Sequence, residues 1–307
     1  MKNTVLLLLL PLALASCQRR ELTYYTEAEI SVTADWSRAG QEEESRYGAT
    51  LILYPQDGGA PRVALMGDRT RSTVQLPEGR YDALLFNRSF DDFGTVAFRG
   101  QDNLHTIEAY AMQTETRNET RVITSAPGKL ASAVMRGFEV KDRTAQLPLV
   151  PAPLTRTVRM ELHIEGIQNL KQATCLLSGV PLSILLHNGS TEHAERGMQE
   201  FEVQDITPDG DSGTGGTLSG TFQLFGMPAQ DEAKIKLKAL LKDNKTVVER
   251  QVENLEIRED ADGNGVITLK IEAEVNPPLP DVTPSEGSGF DADVEEWGEE
   301  TDTEIPI

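Results

Sequence analysis

The chain lacks what several function classes require. Its one long apolar run, residues 5–14, is broken by Pro11 and is about half the length a membrane-spanning helix needs. Tryptophan occurs only as Trp36 and Trp297, and aromatics make up 6% of the residues, so no stacked platform for sugar rings is evident. Bases are outnumbered 29 to 49 by acids, and the resulting net charge of −20 opposes binding to nucleic acid or to an anionic lipid surface. No nucleic-acid partner is expected. Cysteine occurs twice, as Cys17 and Cys175, too few for a disulfide framework.

What is present begins with an address. Lys2, the run 5–14 and the small residues before Cys17 have the order of a secretory signal: basic start, apolar stretch of about ten residues, small-residue processing site. Residues 1–16 are therefore expected to be removed. Leu14-Ala15-Ser16-Cys17 resembles the lipobox of bacterial lipoproteins, which implies that Cys17 carries acyl chains such as palmitate and becomes the mature N-terminus, with 17–22 as a lipidated tether. Each buried CH₂ contributes about 0.8 kcal/mol, so two or three chains anchor a protein firmly. Gln18, in place of the aspartate that retains lipoproteins in the inner membrane, implies the outer membrane, with the body surface-exposed. Arg19 and Arg20 stand where surface-exported lipoproteins often carry acids. If Cys17 is lipidated, Cys175 has no partner, and Ala173-Thr174-Cys175-Leu176-Leu177 reads as a buried strand with a core thiol.

Removing 1–16 from 307 residues leaves 291, enough for two domains. Alternation dominates the body, as in Glu29-Ile30-Ser31-Val32-Thr33-Ala34, Thr50-Leu51-Ile52-Leu53-Tyr54 and Arg80-Tyr81-Asp82-Ala83-Leu84-Leu85-Phe86, and predicts half-buried strands. Turn signals such as Asp57-Gly58-Gly59 and Pro77-Glu78-Gly79 separate them. After Pro148, Pro151 and Pro153 the cycle restarts with Val158-Arg159-Met160-Glu161-Leu162-His163-Ile164, followed by strands at 220–225, 235–240, 247–252 and 266–271. The division is 23–150, 151–275 and an acidic tail, 276–307, with a possible final or donor strand. The tail holds ten acids and no Lys or Arg, half of the formal excess. A helix is the competing reading at 231–241, helix content is allowed near 104–112, and the Gly- and Asp-rich stretch 205–217 reads as an exposed loop. The fold class is all-β, in two tandem antiparallel sandwiches.

Chemical motifs are weak. Gly210-Asp211-Ser212-Gly213 looks like the nucleophile segment of trypsin-type proteases, yet none of His105, His163, His187 or His193 sits in the Ala-Ala-His-Cys type of surrounding that family uses. Asp260-Ala261-Asp262-Gly263-Asn264-Gly265 matches half of an EF-hand loop, but the twelfth position is Ile271 rather than a bidentate glutamate, and Asn-Gly suits a hairpin turn. His187, His193, Glu192 and Glu195 match no zinc spacing. No catalytic residue, metal or cofactor is expected.

With its lipobox, two β cycles, the hairpin Leu76-Pro77-Glu78-Gly79-Arg80-Tyr81 and an acidic Trp-bearing tail, the chain resembles the fimbrillin-like lipoproteins of Bacteroidales, in their anchor and minor-subunit branch. That resemblance implies two transthyretin-like sandwich domains, fimbrial subunits as partners and a role in anchoring, capping or building a surface fimbria. Polymerising relatives are cut by an arginine-directed protease and accept a partner's strand in the groove so exposed; Arg38 and Arg46 follow the first strand here, and 290–307 is the candidate donor. The rival readings are a glycan-binding lipoprotein of a nutrient-uptake system, marked by exposed aromatics, and a hydrolase, marked by a cleft with paired carboxylates.

Overall fold

The computed structural model describes residues 27–39, 47–114, 123–141, 144–210, 213–261 and 267–285. Among them there is no α-helix, only strands and three short 3-10 turns. The fold is an all-β sandwich. In the N-terminal half a three-stranded sheet, Thr144–Leu149, Glu27–Ala34, Arg71–Pro77, faces a longer one ordered Ala152–Pro153, Ala131–Val140, Gly79–Asn87, Ala49–Pro55, Arg62–Met66. Glu27–Ala34 alternates exposed and buried without exception, and Ile30 and Val32 reach the core shared with Leu51, Leu85 and Leu147. The C-terminal half packs Asp205–Pro208, Gly215–Leu224, Arg156–Glu165, Ile267–Val275, Glu256–Ala261 against a second sheet, which runs Val247–Val252, Ile235–Leu241, Leu170–Pro181, Arg196–Glu202. Cys175, Leu162, Leu237 and Ile271 fill that core.

Each half opens and closes with strands lying side by side. Glu27–Ala34 is parallel to Thr144–Leu149, and Arg156–Glu165 is parallel to Ile267–Val275. A third parallel pair joins Arg196–Glu202 to Ile123–Ser125; the remaining pairings are antiparallel. These pairings fix where the chain enters and leaves. Ala34 lies opposite Leu149, close before the linker, so Glu27 is at the end of its half remote from the linker. Val275 lies beside Ile164, and Leu279 N–H donates to the Glu165 carbonyl, so the chain also leaves the second half at its remote end. Gly166 permits that exit: its φ is +85°, and a Cβ would stand 2.5 Å from the Leu279 carbonyl oxygen.

Three expectations need correction. The strands Ala49–Pro55 and Gly79–Asn87 are not half-buried: Leu51, Leu53, Ala83 and Leu85 face one core, while Ile52, Tyr54, Leu84 and Phe86 face another. Their unbroken apolar runs, Leu51-Ile52-Leu53 and Ala83-Leu84-Leu85-Phe86, are the signature of two-sided burial. Second, 104–112 contains no helix. Leu104, Ile107 and Ala111 imitate helical spacing, but Ile107, Ala109 and Ala111 alternate, and Glu108–Ala111 is a strand. Third, 205–217 is not all loop, because Asp205–Pro208 pairs antiparallel with the start of Gly215–Leu224. Backbone pairing requires no burial, and at Gly216 a Cβ would meet the Thr207 carbonyl oxygen at 2.5 Å, so glycine permits the close approach. Around 231–241 the strand reading holds, as Ile235–Leu241.

The second face of the long N-terminal sheet is covered by a small sheet of Val96–Arg99, Glu108–Ala111 and Ser183–Leu185. The last of these comes from the C-terminal half. In return, Gln113–Thr114 and Ile123–Ser125 extend a sheet of the C-terminal half. The halves thus exchange strands, and hydrogen bonds close the seam: Ser132 Oγ donates to the Leu186 carbonyl at 2.7 Å, and Ala111 N–H to that of Leu182 at 2.8 Å. Ile184, buried in this shared core, couples the two. Ile184→Ala is expected to cost about 2–5 kcal/mol, and in urea titrations followed by circular dichroism the whole transition should shift as one. Two separated transitions, with only one moved, would show the halves to be independent.

Candidate functional site

The sequence-predicted residues divide sharply. Cys17, the signal 1–16, Arg46, the donor segment 290–307 with Trp297, the pair Asp211 and Ser212, and 262–266 of the EF-hand-like loop lie outside the described residues. Cys175 is fully buried, and desolvation alone pushes its thiol up to about 12. Such a thiol packs; it does not attack. His163 Nδ1 is 3.1 Å from the Thr217 hydroxyl. His187 meets His105 edge-on at 5.2 Å, not His193 or the nearby glutamates, and no cluster of three His, Cys, Asp or Glu occurs among the described residues. None of the described Phe, Tyr or Trp side chains is exposed. Phe86, Phe90, Phe93 and Phe98 pack on one another at 5.1–5.4 Å under the small sheet.

What the fold offers to a partner is an edge. A sheet edge presents unpaired backbone groups and invites another strand unless prolines or charges blunt it. Most edges here are blunted. Pro77, Pro148, Pro153 and Pro208 sit on four edge strands, Val247–Val252 carries Glu249 and Arg250, and Glu256–Ala261 carries Glu256, Arg258, Glu259 and Asp260.

Arg62–Met66, the last strand of the long N-terminal sheet, is different. Val63 is cross-strand partner to Ile52 and Leu65 to Thr50, so both side chains stand on the face that the small sheet covers further in. That cover stops one strand short, leaving Val63 51% and Leu65 67% exposed. The strand's one charged side chain turns away: Arg62 Nη1 donates to the Gln75 carbonyl at 2.6 Å, and Nη2 meets Glu27 at 3.2 Å. Apolar side chains and an open backbone ladder together match the requirements of strand addition.

The first strand bears on the same chemistry. Glu27–Ala34 is central in its sheet, hydrogen-bonded on both sides, and Arg38 is exposed in the 3-10 turn Ser37–Ala39 that follows. The 76–81 turn is not the expected hairpin, because Arg71–Pro77 and Gly79–Asn87 belong to different sheets; it links the two sheets and is pinned where the Tyr81 hydroxyl donates to the Pro77 carbonyl at 3.0 Å.

A family model described as "Domain of unknown function (DUF5119)" matches residues 16–202, more than half of the chain. The chain belongs to that family. The matched span runs from the residue before Cys17 through the exchanged strands Ile123–Ser125 and Ser183–Leu185, so it contains the open edge and most of the seam. None of the curated proteins matches. Among solved structures, a candidate adhesin from Bacteroides ovatus ATCC 8483 shares the fold, with a TM-score of 0.58 and 18% identity over 76% of this chain and 86% of that one. The fimbrial anchor protein Mfa2 from Porphyromonas gingivalis aligns at a TM-score of 0.45 and 12% identity, over 69% of this chain and 77% of that one.

The edge was not legible in the sequence, since Val63 and Leu65 look like ordinary strand residues until the strand order is known. Two outcomes test the surroundings. Cys175 is expected to resist a thiol reagent in the native protein and to react in urea; native-state labelling would contradict its burial. Burial, then the neighbouring His105 and Arg136, hold His187 below the usual histidine value of 6.5. The unfolded chain therefore takes up this proton first: the stability contribution is complete above about pH 6.5 and is lost as pH falls below it. Between pH 7.5 and 5.5 the wild type should lose more urea resistance than His187→Gln.

Proposed function

We propose that this chain is a lipid-anchored, non-enzymatic component of a cell-surface fimbria, an anchor or minor subunit, held to the outer membrane through Cys17 and assembled with fimbrial subunits by strand addition. The observation that carries the reading is the open Arg62–Met66 edge with Val63 and Leu65 exposed. The fold shared with the candidate adhesin supports it. Chain polarity also suits it, because the Glu27 end of one half and the Val275 end of the other lie remote from the linker, separating the tether from the acidic tail.

An anchor keeps its N-terminus, and the central place of Glu27–Ala34 agrees with this. Losing that strand would strip Ile30 and Val32 from the core, each contributing about 1.5–3 kcal/mol by burial, along with two backbone ladders. In this reading residues 23–150 and 151–275 are the two lobes, the first part of the tail is held on the second lobe by Leu279 in its core, and 290–307 is the candidate donor segment for a partner.

The test uses protein purified from native membranes. Mass spectrometry should find an acylated Cys17, and Cys17→Ser should release the body to the soluble fraction. The double variant Val63→Lys/Leu65→Lys should change stability by no more than about 0.5 kcal/mol yet abolish crosslinks to fimbrial subunits. Retained crosslinks would remove the edge from the mechanism, and an N-terminus at Ala39 or Tyr47, directly after Arg38 or Arg46, would replace the anchor by a polymerising subunit.

A further inference from the structure

A cleft of about 620 Å³ opens where the halves meet, walled by Ser132 and Val134 from the long N-terminal sheet and by Arg196, Phe225 and Met227 from the C-terminal half. Its volume lies in the range of small-molecule sites. Its charge is opposite to that of the protein. Although the chain holds 49 acids against 29 bases, the cleft is lined by Arg156 and Arg196 and by no aspartate or glutamate.

The two arginines are not equivalent. Arg156 is matched by Glu259 at 2.6 Å. Arg196 is held by neutral acceptors: its Nη1 donates to the carbonyls of Gly179 at 3.1 Å and Met227 at 2.9 Å, and no carboxylate among the described residues lies within ion-pairing distance. These bonds fix the guanidinium while leaving its charge and its remaining N–H groups for a ligand. A planar fork so fixed suits a carboxylate, which it can grip with two parallel bonds.

The surroundings narrow the ligand further. Thr155, Asn188 and Thr191 add hydroxyl and amide groups; the Asn188 Oδ1 is taken by the Ser190 N–H at 3.0 Å, which leaves the amide nitrogen to donate. Without a carboxylate in the lining there is no partner for a ligand's ammonium group. The short wall strand Ala152–Pro153 ends in a residue without an N–H, which discourages a peptide from adding there. A carboxylate together with several hydroxyls describes a sugar acid.

We propose that this cleft binds a sugar acid, free or at the end of a saccharide, with Arg196 as the carboxylate-recognising residue. Recognition rests on charge and hydrogen bonds rather than ring stacking, and the site is separate from the Arg62–Met66 edge. Because both halves form the walls, bound ligand braces the seam.

Calorimetric titration of the full chain with D-glucuronate, a glucuronate-terminated disaccharide, D-glucose and a peptide of residues 290–304 tests the idea. Glucuronate should bind and raise the melting temperature, and glucose should do neither. Tighter binding of the disaccharide would assign the site to a chain end, and equal binding to the free acid. Arg196→Gln should weaken glucuronate at least tenfold, with Arg196→Lys recovering only part of it. Asn188→Trp, an exposed change at the rim, should block binding by occlusion without touching the core, and Arg159→Gln, outside the cleft, should bind as the wild type does. No glucuronate binding by the wild type, full binding by Arg196→Gln, or binding of the peptide alone would overturn the proposal, the last in favour of a protein ligand.

Discussion

The long N-terminal sheet is apolar on both faces, and the rest of the architecture follows from the need to cover it. Leu51, Leu53, Ala83 and Leu85 are sealed by the sheet built around Glu27–Ala34; Ile52, Leu84 and Phe86 need a second cover. Burying a side chain of this size contributes about 1.5–3 kcal/mol, so the second face cannot be left wet. The N-terminal half supplies only two short strands for the purpose, Val96–Arg99 and Glu108–Ala111, and the third arrives from the other half as Ser183–Leu185. The junction is thus part of a core, with Ile184, Leu186 and Phe225 packed beside Phe86, and not a loose contact between finished domains.

The same constraint creates the exposed edge. A three-stranded cover on a five-stranded sheet leaves something bare, and what it leaves is Arg62–Met66. Covering Val63 and Leu65 would have required a further strand; blunting the edge would have required a proline or a charge, and the one charge present, Arg62, is engaged by Gln75 and Glu27 on the side away from the bare face. On a protein of net charge −20, like-charged copies repel at long range, which opposes the pairing of two such edges. A partner whose own strand is complementary meets no equivalent obstacle at contact distance, where backbone pairing and burial of the two side chains take over.

Strand identity was legible because period two is a local property. Glu27–Ala34, Arg156–Glu165 and Ile235–Leu241 can all be found by alternation alone. Strand order was not, since it is decided by contacts between residues far apart in sequence, as with Ser132 and Leu186. The exchanged strands Gln113–Thr114, Ile123–Ser125 and Ser183–Leu185 are too short to show a period, and their residues became informative only through their neighbours. Glu108–Ala111 was obscured by the Leu104, Ile107 and Ala111 spacing, which fits a helix until the alternation inside it is preferred. The cleft is non-local in the same way: Arg156, His187 and Arg196 come from separate strands and loops, and nothing in the sequence marks Arg196 as the one whose charge has no carboxylate partner among the described residues.

Edge and cleft respond differently to the seam between the halves. The edge belongs wholly to the N-terminal half, so its availability does not depend on how firmly Ser183–Leu185 is held. The cleft exists only while that strand is in place, because Arg196 comes from one half and Ser132 from the other. Whatever loosens the seam therefore opens the cleft before it affects the edge. A ligand gripping both walls opposes that loosening by its differential affinity for the closed form. The strand exchange that completes the core thus also makes the cleft, unlike the edge, sensitive to the state of the junction.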